Sequence, residues 1–147
     1  MHRPSVMRGH RGAALIEFAL SSSLLFLLLL GIVEFGLIFK DIQVLQQAAR
    51  VGARSAAVGN ITSIITAHTR NSAISLDTSV LGMTLKYSTD NGATFSNTLG
   101  DGGAQNNAPV GSLIRVHLYY PHTLLTGYII PGKTAKDLTS DMVVLRE

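Results

Sequence analysis

The stretch that decides the fold lies at residues 12–39 and reads GAALIEFALSSSLLFLLLLGIVEFGLIF. Between Ala13 and Val33 its only charged residue is Glu17. A helix over these residues is about 31 Å long at 1.5 Å per residue, close to the roughly 30 Å hydrocarbon layer of a bilayer. A secretory signal peptide is the alternative, but its apolar region is shorter and no A-x-A-like site follows this one. The pattern predicts a transmembrane helix over residues 13–39.

Charge is concentrated before this span. The formal net charge of +3 is carried by Arg3, Arg8 and Arg11, because the rest of the chain has equal numbers of basic and acidic residues. Its scattered cations argue against nucleic acid as a partner. The basic leader at residues 1–12 predicts a cytoplasmic N-terminus and an external C-terminal part. With no cysteine, disulfides and thiolate metal sites are excluded.

The helix is expected to continue past the membrane as a stem over residues 40–58, which contain no proline and no turn cluster. Small residues recur in the stem at Ala48, Gly52 and Ala56. A second row is formed by Ala49, Ala53 and Ala57. Such rows allow close approach of another helix or of a sheet. They therefore predict either a contact between subunits or packing beneath the chain's own sheet.

Residues 59–147 predict a small external α+β domain. Apolar and polar residues alternate over 81–88 and 114–120, which is typical of half-buried strands, and residues 137–145 suggest a last strand. Asp90-Asn91-Gly92 predicts a hairpin turn before a strand at 94–97. These strands are expected to form a short antiparallel sheet packed on the stem.

Two further elements are predicted in this domain. Asn60 is expected to cap a second helix over residues 61–75. The Gly-rich segment at residues 100–111 is expected to be an exposed, mobile loop that serves as a contact surface.

The side chains that could support catalysis are few. His117 and His122 flank Pro121 and have no carboxylate nearby in sequence that would complete a metal site. His68 has no acid or nucleophile at an interpretable spacing, and residues 100–103 have too few carboxylates for calcium. The sequence therefore predicts no enzyme, no metal, no cofactor and no small-molecule substrate.

Glu17 is the unusual residue of the span, because a carboxylate near a membrane helix is costly unless it is used. If the chain is cut after Gly12, Ala13 becomes the amino terminus and Glu17 lies one helical turn away. The alternative is that Glu17 lies at the headgroup level without a partner. Glu34, at the outer edge of the span, is expected either to reach interfacial water or to make a second polar contact between subunits.

The chain resembles the TadE-like family of proteins associated with tight-adherence pili, in three stretches. These are RGAALIEFAL at 11–20, LLGIVEFG at 29–36 and QAARVGAR at 47–54. Their opening also resembles the type IV prepilin signal. At Ser23 relatives often carry proline, and serines here can instead bond back to helix carbonyls. The terminal residues VLRE at 144–147 are similar in style to the family's last strand.

The resemblance implies cleavage after Gly12 by a prepilin peptidase, with Ala13, Glu17 and Phe18 completing the recognised segment. In a filament, Glu17 would neutralise the Ala13 amine of a neighbouring subunit. The apolar helices and the row of Ala48, Gly52 and Ala56 would then pack between subunits.

Two functions follow from these expectations. The first is a pilin-like minor subunit, or pseudopilin, of a tight-adherence type IV pilus, which takes part in pilus assembly or adhesion. The second is a permanently membrane-anchored, non-filament component of a tight-adherence or type II secretion machine. Both place the chain in the bacterial inner membrane with a single span. The expected partners are the prepilin peptidase, other pilin subunits and the pilus assembly machinery.

Overall fold

The computed structural model describes residues 9–125, 127 and 134–147, with side chains from residue 12 onward. The elements in chain order are α1 (Gly9–Ala57), α2 (Thr62–Ser72), β1 (Gly82–Ser88), β2 (Asn97–Thr98), β3 (Leu113–Thr123) and β4 (Ala135–Leu145). The chain divides into two compact units, one ending at Gly36 and the other formed by Leu37–Glu147. The predicted α+β class, with a long N-terminal helix and a small antiparallel sheet, is confirmed.

Helix α1 is 49 residues long and contains no proline, so its hydrogen-bond ladder meets no obligatory break. Among the described residues it is the one helix that is long and apolar enough to cross a membrane, by length and composition. The helix already begins at Gly9, so it includes the last residues of the predicted leader. Residues 1–8 of that leader lie outside the described residues.

A glycine two residues beyond the end of α1, Gly59, terminates the helix for a conformational reason. Gly59 has a φ of +85°, which side-chain-bearing residues rarely adopt. Its amide donates to the Ala56 carbonyl at 3.0 Å, and the Asn60 amide donates to the Ser55 carbonyl at 3.3 Å. These paired bonds form a Schellman motif, which satisfies carbonyls that the last turn would otherwise leave unpaired.

The sheet has the strand order β2-β1-β3-β4, with all neighbours antiparallel. On β3, Ile114, Val116 and Leu118 are fully buried, as the alternation predicted. The core that includes Val116 and Leu118 also contains Leu45 and Ala48 of α1. The sheet therefore packs on the stem half of the long helix, as expected.

The predicted hairpin is present but differs in its second strand. Asn91 and Gly92 both have positive φ, as the Asn-Gly turn signal requires. The second strand of the hairpin, β2, begins at Asn97 and has two residues, instead of covering 94–97. Asp90 explains why this strand begins later than predicted. Its carboxylate accepts hydrogen bonds from the hydroxyl and amide of Thr94 and from the Ser88 hydroxyl. These bonds hold residues 88–94 in a turn and lower the pKa of the Asp90 carboxyl well below its usual range.

The second helix is shorter than predicted and is capped differently. Helix α2 covers Thr62–Ser72, and its N-cap residue is Ile61. Asn60 donates instead to the Ser55 hydroxyl at 2.9 Å, so its expected capping role is wrong. The Thr62 amide donates to Asp101 Oδ1 at 2.7 Å. A carboxylate from the Gly-rich segment thus serves the start of α2, where the helix dipole favours negative charge.

The Gly-rich segment is anchored as well as exposed. Residues 101–105 are exposed, but Asn106 and Ala108 are buried, and Ala108 belongs to a second apolar cluster with Ile65 and Ile114. The expectation of a wholly exposed loop is therefore wrong for Asn106 and Ala108. The sequence pattern missed this because the burial depends on contacts with distant parts of the chain.

Gly52 of α1 lies against both Thr69 of α2 and Val116 of β3. A Cβ added at Gly52 would overlap the Thr69 hydroxyl and would lie 3.4 Å from Val116 Cγ1. Thr69 is fully buried and its hydroxyl donates to the Ile65 carbonyl, so it has little room to move. Glycine is therefore required here by space rather than by backbone conformation.

We expect Gly52→Ala to destabilise the unit at Leu37–Glu147 by about 1–3 kcal/mol, the usual cost of overpacking a filled core. Thermal unfolding of the full-length chain in detergent measures this loss. Gly36→Ala is the matched control, because a Cβ there meets nothing within 4 Å. Equal melting temperatures for the two variants would contradict the packing assigned to Gly52.

Candidate processing and assembly site

The predicted processing segment lies on the exposed surface of α1. Gly12, Ala13, Glu17 and Phe18 are all exposed, and a Cβ at Gly12 would meet nothing within 4 Å. Because the helix is continuous here, Ala13 and Glu17 are four residues apart on one face, about 6 Å along the axis. A new amine at Ala13 would therefore stand on the same side of the helix as the Glu17 carboxylate.

Glu17 makes no ion pair within 4.0 Å with any of the described side chains. The first turn of a helix starting at Ala13 would present unsatisfied amides and a partial positive charge, which favour a nearby carboxylate. Pairing of the Glu17 carboxylate with an ammonium group of the same or another chain stays a prediction.

The residues around Glu17 form a continuous apolar surface. Leu15, Phe18, Leu24, Phe26 and Phe35 are each more than 60 % exposed within the chain. Soluble monomers rarely expose apolar patches of this extent. The surface fits a lipid bilayer or a bundle of like helices, and its length and hydropathy suit membrane anchoring.

One serine and one glutamate of the span, Ser23 and Glu34, have polar partners. Ser23 donates to the Leu20 carbonyl at 2.9 Å, which is the back-bonding expected where relatives often carry proline. Glu34 is 7 % exposed and is not without a partner, and its expected reach to interfacial water stays a prediction. A contact of Glu34 with another subunit stays a prediction.

The row of Ala48, Gly52 and Ala56 is buried in the chain itself. Ala48 and Ala56 are fully buried, and Gly52 is also buried. The second row, Ala49, Ala53 and Ala57, is equally inaccessible. Both rows thus lie beneath the sheet and α2, which is the intramolecular alternative. This use leaves neither row on the surface of the chain.

Arg146 and Glu147 bind the carbonyl at the end of the stem helix, a contact that the sequence did not reveal. Arg146 is 4 % exposed, and its Nη1 donates to the Ala57 carbonyl at 3.0 Å. Its Nη2 donates to Gln105 Oε1 at 3.0 Å, and the Glu147 amide also donates to Ala57. A guanidinium at a helix C-terminus interacts favourably with the negative end of the dipole.

Asn106 of the Gly-rich segment completes these contacts. Its Nδ2 donates to the carbonyls of Ala56 and Asn60, each at 3.0 Å. Because Asn106 is buried, these bonds replace the water that the end of the helix would otherwise need. The terminal residues and the Gly-rich segment therefore fix the end of α1 together.

A buried acid and histidine join the start of the stem to the sheet. Asp41 Oδ2 lies 2.7 Å from His122 Nδ1, and the side chains of the pair are 9 % and 7 % exposed. Lys40, which is 51 % exposed, adds an ion pair to Asp41 at 3.3 Å. Asp41 and His122 are separated by 81 residues, so no local sequence pattern could indicate the contact.

Two other histidines, His68 and His117, also have polar partners. His117 Nδ1 lies 3.0 Å from Asp141 Oδ1, and His68 Nδ1 lies 3.2 Å from the Ser55 hydroxyl. No group of three or more potential metal-ligating residues is found among the described residues. His117 and His122 each have one carboxylate neighbour from a distant part of the chain, which the sequence did not indicate.

Comparison with known proteins gives one match. Residues 12–54 match the family model described as TadE-like protein, which confirms the suspected resemblance over the apolar span and most of the stem. The match ends before α2 and the sheet. No curated protein and no solved structure matches the chain.

Proposed function

Because residues 12–54 are TadE-like, we propose that this chain is a pilin-like minor subunit of a tight-adherence type IV pilus. It is made in the bacterial inner membrane with its N-terminus in the cytoplasm. A prepilin peptidase cleaves it after Gly12, and its external domain then takes part in pilus assembly or adhesion. The observation that carries this proposal is the exposed helix bearing Gly12, Ala13, Glu17 and Phe18 within the matched segment.

The assembly step rests on the charge at the start of the span. After cleavage, the Ala13 ammonium and Glu17 carboxylate are complementary groups in an otherwise apolar helix bundle. Pairing the amine of one subunit with Glu17 of another sets the axial register, because an unpaired charge in that environment is strongly disfavoured. The proposed role is non-catalytic.

The size of the external unit supports a minor position in the filament. The unit at Leu37–Glu147 carries its own sheet and core outside the apolar span. Such a unit is bulky for a densely packed major subunit. The same bulk also suits the second function, a permanent membrane anchor of the machine.

Mass spectrometry of the protein recovered from membranes tests the processing step. We expect the N-terminus at Ala13, and the peptide beginning at Met1 should accumulate when the prepilin peptidase is absent. Recovery of Met1 as the only N-terminus from peptidase-containing cells would reject the processed subunit. Sheared surface fractions then separate the two functions, since detection in membranes alone indicates the anchor.

A further inference from the structure

The outer face of the sheet, opposite the buried helix stem, carries a cluster of cationic side chains. Thr84, Lys86, Arg115 and His117 line a depression of about 250 Å³ on strands β1 and β3. These side chains supply a hydroxyl, an ammonium, a guanidinium and an imidazole, and none of the described carboxylates lines the depression. We propose that this depression binds a phosphoryl or sulfuryl group.

The strand register places the cations against each other. Lys86 lies directly opposite Arg115 across the β1–β3 pair, and its neighbour on β2 is Thr98. On its other side Arg115 faces Val143 of β4. Like charges directly opposite in a sheet are destabilising. The register thus maintains an arrangement that an anion between the two side chains would relieve.

Neither cation is neutralised within the described part of the chain. Lys86 and Arg115 have no carboxylate within 4.0 Å there, and the acid on this face, Asp141, is paired with His117. Two uncompensated positive charges match a doubly charged oxyanion better than a single carboxylate. Such an anion also offers enough acceptor oxygens for an ammonium, a guanidinium and a hydroxyl.

Two contacts preorganise the site. The guanidinium carbon of Arg115 lies 3.9 Å from the centroid of the Phe95 ring, a cation–π contact that orients the guanidinium. Asp141 fixes the ring of His117 through Nδ1 at 3.0 Å. Arg115 and Lys86 are half-buried, so their attraction for an anion is screened less than that of fully exposed side chains.

The depression is large enough for a single phosphoryl or sulfuryl group but not for a whole cofactor. Pockets for drug-sized ligands usually hold about 300–1,000 Å³. The volume here lies just below that range. The site therefore suits a free phosphate ion or a phosphate ester whose remaining part extends into solvent. None of the residues that line the depression lies in the segment at residues 12–54, so anion binding there can be tested apart from processing at Gly12.

Isothermal titration calorimetry tests this with the full-length chain in an uncharged detergent at low ionic strength. The probes are inorganic phosphate, inorganic sulfate and glucose 1-phosphate, with chloride at matched ionic strength as the non-specific reference. We expect saturable binding of one equivalent, weakened at least tenfold in Lys86→Gln and in Arg115→Gln. Tighter binding of glucose 1-phosphate than of phosphate identifies an ester as the better ligand, whereas equal affinities identify the free ion.

Matched controls remove the same charge elsewhere. Lys136→Gln and Arg70→Gln alter exposed cations on β4 and α2, and we expect their titrations to resemble that of the unmodified chain. Lys86→Gln should also keep or raise the melting temperature measured without ligand, because it removes the opposed charges. Absence of saturable binding, or equal weakening by the control substitutions, would overturn the proposal.

Discussion

Glu17→Gln is expected to remove the protein from sheared surface filaments. Glutamine has nearly the shape of glutamate but carries no charge. The Ala13 ammonium of a neighbouring subunit would then lie in an apolar bundle without its counter-charge. Breaking a buried pair by removing one partner costs about 3–5 kcal/mol, which is more than a hundredfold in the equilibrium of one contact.

The measurement compares membrane and sheared fractions by immunoblotting and identifies the N-terminus in each fraction. A membrane-retained Glu17→Gln protein that begins at Ala13 separates assembly from processing. Glu17→Asp is the matched control, because it keeps the charge on a side chain one methylene shorter and should recover part of the filament signal. Filament yields of Glu17→Gln equal to those of the unmodified chain would rule out pairing of Glu17 with the Ala13 ammonium as a requirement for assembly.

The parts of the fold that depend on neighbouring residues were predicted from the sequence. The apolar run gave α1, and the alternation from Ile114 to Tyr120 gave β3 with its buried and exposed faces in the correct order. Positive φ at Asn91 and Gly92 agrees with the turn signal. In each case a repeating pattern within a few residues reports directly on local structure.

The contacts that hold these elements together were not predicted. Asn60 is a good helix cap by type, yet the first amide of α2, that of Thr62, donates to Asp101, which is brought there by the folded Gly-rich segment. Arg146 and Asn106 satisfy carbonyls at the end of α1 from distant parts of the chain. Their roles follow from three-dimensional proximity, which one sequence does not encode in any local spacing.

In the candidate site, too, the features set by local spacing were predicted and those set by distant contacts were not. Gly12 and Glu17 were identified by their separation along one helix, and the structure leaves both exposed on α1. The row of Ala48, Gly52 and Ala56 had two possible uses because close packing looks alike within and between chains. Only the positions of Thr69 and Val116 beside Gly52 show that the chain's own elements occupy that space.

Asp41→Ala is expected to destabilise the unit at Leu37–Glu147 by about 1–3 kcal/mol, because it removes the buried carboxylate that is hydrogen-bonded to the buried His122. The two atoms lie 2.7 Å apart where β3 reaches the first turns of the stem, so the loss also weakens the attachment of the strand. Chemical unfolding of the full-length chain in detergent, followed by circular dichroism, measures the change.

Two further variants distinguish the pair from a general effect of charge at this position. Lys40→Gln removes the more exposed partner of Asp41, and exposed ion pairs are worth about 0–1 kcal/mol, so its stability should change little. The double variant Asp41→Leu with His122→Leu should recover much of the loss, since apolar residues of similar volume often replace a buried pair at little cost. If Asp41→Ala were no more destabilising than Lys40→Gln, the Asp41–His122 contact would not be what fastens β3 to the stem.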